Sequence, residues 1–196
     1  MKILYSLGLL LIISVWTQGS NFERKLSDAA IQITKDKVVY NDAYVSILYP
    51  KGDVPATQGV CTDVIIRAYR KLGIDLQKEV HEDMKRNFSK YPKTWGLKKT
   101  DTNIDHRRVP NLETFFTRKG QELPVTQNTS DFKTGDLVTW IINGKLPHIG
   151  IVTHLKSSPD ASGGKRPLMV HNIGAGQVLE DCLFSYKIVG HYRYKK

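Results

Sequence analysis

Asp136-Leu137-Val138-Thr139-Trp140-Ile141-Ile142, then Asn143-Gly144, then His148-Ile149-Gly150-Ile151-Val152-Thr153 is the stretch on which the architecture turns. Two runs rich in β-branched and aromatic residues, joined through an Asn-Gly pair, predict a β-hairpin. Leu168-Met169-Val170-His171-Asn172-Ile173 predicts a further strand and Gly174-Ala175-Gly176 a turn. Residues 178–184 read as another extended stretch and 186–194 as a last strand. Upstream the apolar period becomes helical. Phe22, Leu26, Ala29, Ala30 and Ile33 predict a helix over 22–36, with Ser20 or Asn21 as its cap. Val64, Ile65, Ala68 and Leu72 form the apolar face of a helix that begins at Cys61 and stops at Gly73. A helix capped by Asp75 follows, with Leu76, Val80, Met84 and Phe88 in a stripe. Leu112, Phe115 and Phe116 predict a short helix closed by Gly120. Between these, 44–49 reads as extended, 50–55 as a turn-rich loop and 89–110 as irregular. Helices first and antiparallel strands after is the α+β pattern.

The chain has 196 residues and a net charge of +10. Its first sixteen residues join Lys2 to an apolar run, and Thr17-Gln18-Gly19-Ser20 supplies small residues for cleavage. This predicts a secretory signal over 1–19, since the run is short for a span of about 20 residues; an uncleaved anchor is the alternative. Residues 20–196 then form one domain, exported to the periplasm or beyond, with no membrane span left after cleavage. A basic exported protein favours anionic envelope polymers. Nucleic acid is not expected, because Lys and Arg are scattered and no recognisable binding module is present. In an oxidising compartment Cys61 and Cys182 have a plain alternative to chemistry, a structural disulfide.

Gly59-Val60-Cys61-Thr62-Asp63 puts a cysteine on the first turn of a helix. Unpaired N–H groups and the helix dipole there stabilise a thiolate, so Cys61 is the candidate nucleophile. It needs a base and a group to orient that base. His148 starts a strand and is the candidate base. His171 and Asn172 are adjacent on a later strand and point to opposite faces; either side chain is able to accept the His148 ring N–H. Asn103-Ile104-Asp105-His106-Arg107-Arg108 reads either as a solvated charged loop or as a clamp for a carboxylate or phosphate, with Trp95 as a stacking surface. His81-Glu82-Asp83 reads as a solvated helix face, since its spacing fails the zinc pattern. His154 and His191 read as structural. No metal and no cofactor are expected.

Gly135-Asp136-Leu137-Val138-Thr139-Trp140 followed by His148-Ile149-Gly150-Ile151-Val152 resembles the corresponding segment of the NlpC-type cell-wall cysteine peptidases, a papain-like superfamily. Four blocks resemble, more closely, a bacterial exported family of unknown function placed within that superfamily. They are Gly52-Asp53-Val54-Pro55, Gly59-Val60-Cys61-Thr62-Asp63, the segment from Asn103 to Leu112, and His171-Asn172-Ile173-Gly174. The resemblance spans roughly residues 25–194 and implies a papain-like fold. It also implies amide or peptide hydrolysis through a thioester, often in peptidoglycan, with Cys61 as nucleophile, His148 as base and His171 as orienting residue. A non-catalytic envelope-binding module and a thiol acyltransferase are the alternatives. The wall peptidases usually carry Asp-Cys-Ser-Gly, the aspartate holding the substrate amine. Here Val60 precedes the cysteine, and Asp63, with Asp105, His106, Arg107, Arg108 and Trp95, is a candidate substrate contact.

Overall fold

The computed structural model describes residues 20–161 and 163–196. The predicted signal, residues 1–19, lies outside the described residues. Helix α1 (Ser20–Ile33) buries Leu26, Ala29, Ala30 and Ile33 on one stripe and stops at Ile33 rather than at 36. Strand β1 (Val39–Tyr40) pairs in parallel with β2 (Gln58–Gly59), Tyr40 opposite Gly59. Residues 44–49 form no strand. Tyr44 and Leu48 are exposed, so this stretch has no buried face to pair.

Helix α2 (Cys61–Lys71) is buried continuously from Cys61 to Ile66 and again at Ala68 and Tyr69. Helix α3 (Leu76–Arg86) buries Leu76, Val80 and Met84, while Phe88 falls beyond its end in a tight turn. Asp75 does not cap α3 with its side chain; its Oδ2 accepts the Lys51 N–H at 2.8 Å instead. Helix α4 (Val109–Lys119) starts earlier than the apolar period suggests. Pro110 sits in its first turn, where a missing N–H breaks no intrahelical bond.

The main sheet contains β3 (Gln121–Glu122), β4 (Leu137–Ile142), β5 (Leu146–Lys156), β6 (Pro167–His171), β7 (Val178–Glu180) and β8 (Lys187–Arg193). Its order is β3-β8-β4-β5-β6-β7, and every pairing is antiparallel. The predicted hairpin is β4–β5, with Ile142 opposite Leu146. Its turn places Asn143 and Gly144 at φ of 49° and 71°, the left-handed region that Asn-Gly tolerates best. The last strand, β8, returns to lie between β3 and β4, on the side of β4 away from β6.

Both faces of this sheet are covered. On one face Leu137, Ile149, Ile151, Val170 and Tyr192 meet the apolar sides of α1, α2 and α4. On the other, Val138, Trp140, Val152, Met169 and Ile188 of the strands pack with Phe132, Cys182 and Leu183 from the connecting segments. Alternation along β4, β5 and β6 explains the division, since neighbouring residues serve opposite cores. Phe116 is the hub of the helix-side core, with ring centroids 5.6 to 6.5 Å from those of Tyr69, Phe115, Tyr192 and Tyr194. Among the described residues no helix is long and apolar enough to cross a membrane.

Truncating Phe116, which is fully buried, removes the centre of that cluster. Phe116→Ala is expected to cost about 3–5 kcal/mol, read as a lower urea midpoint with an unchanged denaturant slope.

Candidate functional site

Cys61 is the first residue of α2, and its placement begins at Asp63. The Asp63 carboxylate is buried, and its Oδ2 accepts the Val60 N–H at 2.7 Å, closing the helix start from within. Arg107 grips the same carboxylate as a fork, Nε to Oδ1 at 2.9 Å and Nη2 to Oδ2 at 3.0 Å. Thr62 Oγ1 donates to the Arg107 carbonyl at 3.2 Å. The turn at 105–107 is therefore tied to the loop that delivers the cysteine.

Those bonds correct the solvated-loop reading of 103–108, because Asp105, His106 and Arg107 are all buried. Asp105 Oδ2 accepts the Asp101 N–H at 2.8 Å and lies 2.9 Å from His81 Nδ1. Burial pushes the Asp105 carboxyl up, opposed by the His81 and Asp101 hydrogen bonds. The expected solvated face of α3 is likewise corrected at His81 and at Asp83. Asp83 is buried and accepts from Tyr91 Oη at 2.9 Å and Arg118 Nε at 2.7 Å. The Arg107 fork is taken up by Asp63. Arg108 instead lays its guanidinium 4.5 Å from the centre of the exposed Trp95 ring.

The Cys61 sulfur is buried in the helix-side core, where backbone hydrogen bonding from Ile149, Thr62 and Cys61 itself acts on it. All three favour a thiolate. Burial outweighs them and pushes the thiol up to about 12, with the Asp63 charge adding to the rise. The helix-start argument for a ready thiolate is corrected accordingly: in this fold the resting group is a thiol. Tyr40 on β1 is the nearby aromatic, its hydroxyl raised first by burial and next by the Cys61 charge.

His148 immediately precedes Ile149, opposite Trp140 on the neighbouring strand. Its Nε2 lies 2.9 Å from His171 Nδ1. Gly150 permits this arrangement, because a Cβ there would come within 3.1 Å of the Trp140 ring that packs against both histidines. Burial, then the neighbouring His171, pushes His148 down to about 3, and burial also lowers His171. Asn172 turns to the helix face, donating from Nδ2 to the Gly59 carbonyl at 3.2 Å and accepting the Gly174 N–H at 3.1 Å. Of the two alternatives for the group beside His148, His171 is the one within hydrogen-bond reach.

Glu180 and Cys182, which carried no local sequence signal, converge on the far side of His171. Glu180 Oε2 is 3.1 Å and Cys182 Sγ 3.4 Å from His171 Nε2. Only the pairing of His171 with Val178 across β6 and β7 brings them there. The three donor atoms lie within 4.8 Å of one another, close enough to share a cation. Burial pushes the Cys182 thiol up to about 12, with Glu180 and Asp181 adding to it. Cys61 and Cys182 are both free, so the expected alternative of a disulfide between them does not form. His154 and His191 are held structurally: His154 Nδ1 is 2.8 Å from Ser27 Oγ, and His191 Nε2 is 2.8 Å from Asp136 Oδ2. A surface cavity of about 740 Å³ is lined by Phe22, Lys25, Asp28, Ala29, Gln32, Lys71 and Leu72. It lies at the opposite end of α2 from Cys61 and contains none of the predicted site residues.

A family model described as a domain of unknown function (DUF1287) matches residues 27–194. The uncharacterised protein YijF of Escherichia coli strain K12 is 50% identical over 175 residues, covering 89% of this chain and 83% of that protein. The chain belongs to the DUF1287 family.

Asp63→Ala leaves the Arg107 guanidinium buried without a partner and is expected to destabilise the fold by about 3–5 kcal/mol, measured by urea unfolding. A second expectation concerns acid. Burial holds His106 and His148 down to about 3 against an ordinary 6.5. Between those values the unfolded chain binds the extra protons, so stability falls as pH falls, by about 1.4 kcal/mol per pH unit for each histidine. The urea midpoint should drop from pH 7 to pH 5, with a shallower slope in His106→Gln.

Proposed function

We propose that this DUF1287 protein is an exported cysteine hydrolase of papain-like, NlpC-type fold that cleaves an amide or peptide bond in peptidoglycan or another anionic envelope polymer. One observation supports the reading: Cys61 opens α2 and shares the helix-side core with Ile149, and the residue before Ile149, His148, is hydrogen-bonded ring to ring with His171. In this reading the nucleophile comes from a helix start and the base and orienting residue from two strands, the roles that acyl transfer by a thiol requires.

In this mechanism His148 takes the thiol proton as Cys61 sulfur bonds to the carbonyl carbon. The tetrahedral intermediate collapses by breaking the carbon–nitrogen bond, and the imidazolium gives its proton to the leaving amine. Water, deprotonated by His148, then hydrolyses the thioester and restores the thiol. The N–H groups directed at the sulfur, that of Cys61 foremost, stabilise the oxyanion. A buried neutral thiol and a buried neutral imidazole suit a site that ionises only as substrate excludes water and brings the reacting groups into reach. The exposed Trp95 ring, with the half-buried Arg108 guanidinium stacked on it, offers a ring and a cation to an anionic polymer.

The burial of Cys61, with its high thiol pKa, also favours a second reading, in which the fold is kept for binding alone. Digestion of purified peptidoglycan by the mature protein, followed by mass spectrometry of released fragments, separates the two. Hydrolysis is expected with the wild type and a loss of at least about 10³-fold in Cys61→Ala and His148→Ala. Undiminished cleavage by Cys61→Ala would remove the thioester mechanism, and retained binding with no cleavage by any form would favour the binding module.

A further inference from the structure

His171 Nε2 stands 3.1 Å from Glu180 Oε2, while His171 Nδ1 stands 2.9 Å from His148 Nε2. Carboxylate oxygens accept hydrogen bonds and do not donate them. The contact with Glu180 therefore requires the proton of His171 on Nε2. A neutral imidazole carries one ring proton, so His171 Nδ1 is then an acceptor, and the bond to it must come from His148 Nε2–H. His148 is left with a bare Nδ1. We propose that Glu180 is a positioning residue that sets the tautomer of both histidines through this chain and so leaves His148 Nδ1 as the lone pair that removes a proton. The inference deepens the hydrolase reading and rests on it for the use of that lone pair; the hydrogen-bond chain itself is testable without any catalytic assay.

Other features of the site fit this direction of bonding. Both histidines are buried, and burial lowers both, which keeps the chain at one proton per ring around neutral pH. The outer end of the chain is the half-exposed Glu180, whose side chain is 47% accessible, so the negative charge stays hydrated while its inner oxygen meets the fully buried His171. Asp136 treats His191 in a comparable way on the neighbouring strands, at 2.8 Å, but that histidine meets the Pro124 carbonyl with its other nitrogen and leads to no reactive group. Cys182 also approaches His171 Nε2, at 3.4 Å. A thiol is a weak partner beside a carboxylate, so Glu180 is assigned control of that nitrogen.

Two-bond proton–nitrogen correlation spectra of protein carrying ¹⁵N-histidine read the tautomers directly. His148 and His171 are both expected with the proton on Nε2 at pH 7, unchanged in Glu180→Gln, which keeps an acceptor oxygen, and unchanged in Cys182→Ala or after EDTA. Glu180→Leu is expected to give mixed tautomers at both rings, with the His191 signals unmoved as the internal sign of an intact fold. Alkylation of Cys61 by iodoacetamide should fall on the order of ten-fold in Glu180→Leu and recover in Glu180→Gln. A wild-type His148 protonated on Nδ1, or tautomers unaltered in Glu180→Leu, would overturn the assignment. So would tautomers that change in Cys182→Ala, or on EDTA treatment, the sign of a cation on His171 Nε2. These spectra fail or succeed independently of peptidoglycan cleavage, so a missing hydrolase activity is distinguishable from a wrong proton map.

Discussion

The buried carboxylate of Asp63 is the constraint around which the site is arranged. It receives the Val60 N–H and both arms of the Arg107 fork, and this joins three separate pieces of chain: the loop before α2, the helix itself and the turn before α4. A charge so deeply buried is tolerated only because its oxygens are met by donors. The same bonds fix the direction in which α2 starts, and with it the position of the cysteine at its first residue. Asn172 reinforces this from the sheet by holding the Gly59 carbonyl.

Two opposing effects meet at the Cys61 sulfur, and their sizes decide the outcome. A helix start favours a negative charge by about 0.3–1 kcal/mol near a surface. The rise of the thiol from 9 to about 12 corresponds to roughly 4 kcal/mol the other way. Burial wins, even with three N–H groups directed at the sulfur. The helix geometry was legible in Gly59-Val60-Cys61-Thr62-Asp63, but the depth at which the sheet covers it was not. Desolvation is set by everything packed around a group, and no local window of sequence contains that.

The two histidines owe their meeting to a strand that is buried on both faces. β5 sends Ile149 and Ile151 into the helix-side core and Val152 into the opposite one, so His148 has no solvent-facing alternative. Across β6 the same alternation sends His171 toward His148 and Asn172 toward the helix loop. The sequence showed that these neighbours must diverge. Which of them faces the base followed only from the register of β6 against β5. The charged segment 103–108 misled for a related reason: its density of charge suggested water, whereas Arg107 and Asp105 found partners within the fold 44 and 24 residues away, in the buried Asp63 and the partly buried His81.

Apolar periodicity and turn chemistry, both local, determined the α+β class, the four helices among the described residues, the Asn-Gly hairpin and the helix start at Cys61. The family-like blocks also marked Cys61, His148 and His171 as residues to watch. Tertiary structure alone decided that β8 returns beside β4, that 44–49 forms no strand, that Cys61 and Cys182 stay unbonded, and that Glu180 reaches His171. Each of these depends on which distant segments pair, and with what register. Pairing is settled by the simultaneous filling of two cores, a condition on the whole chain that no stretch of it carries alone.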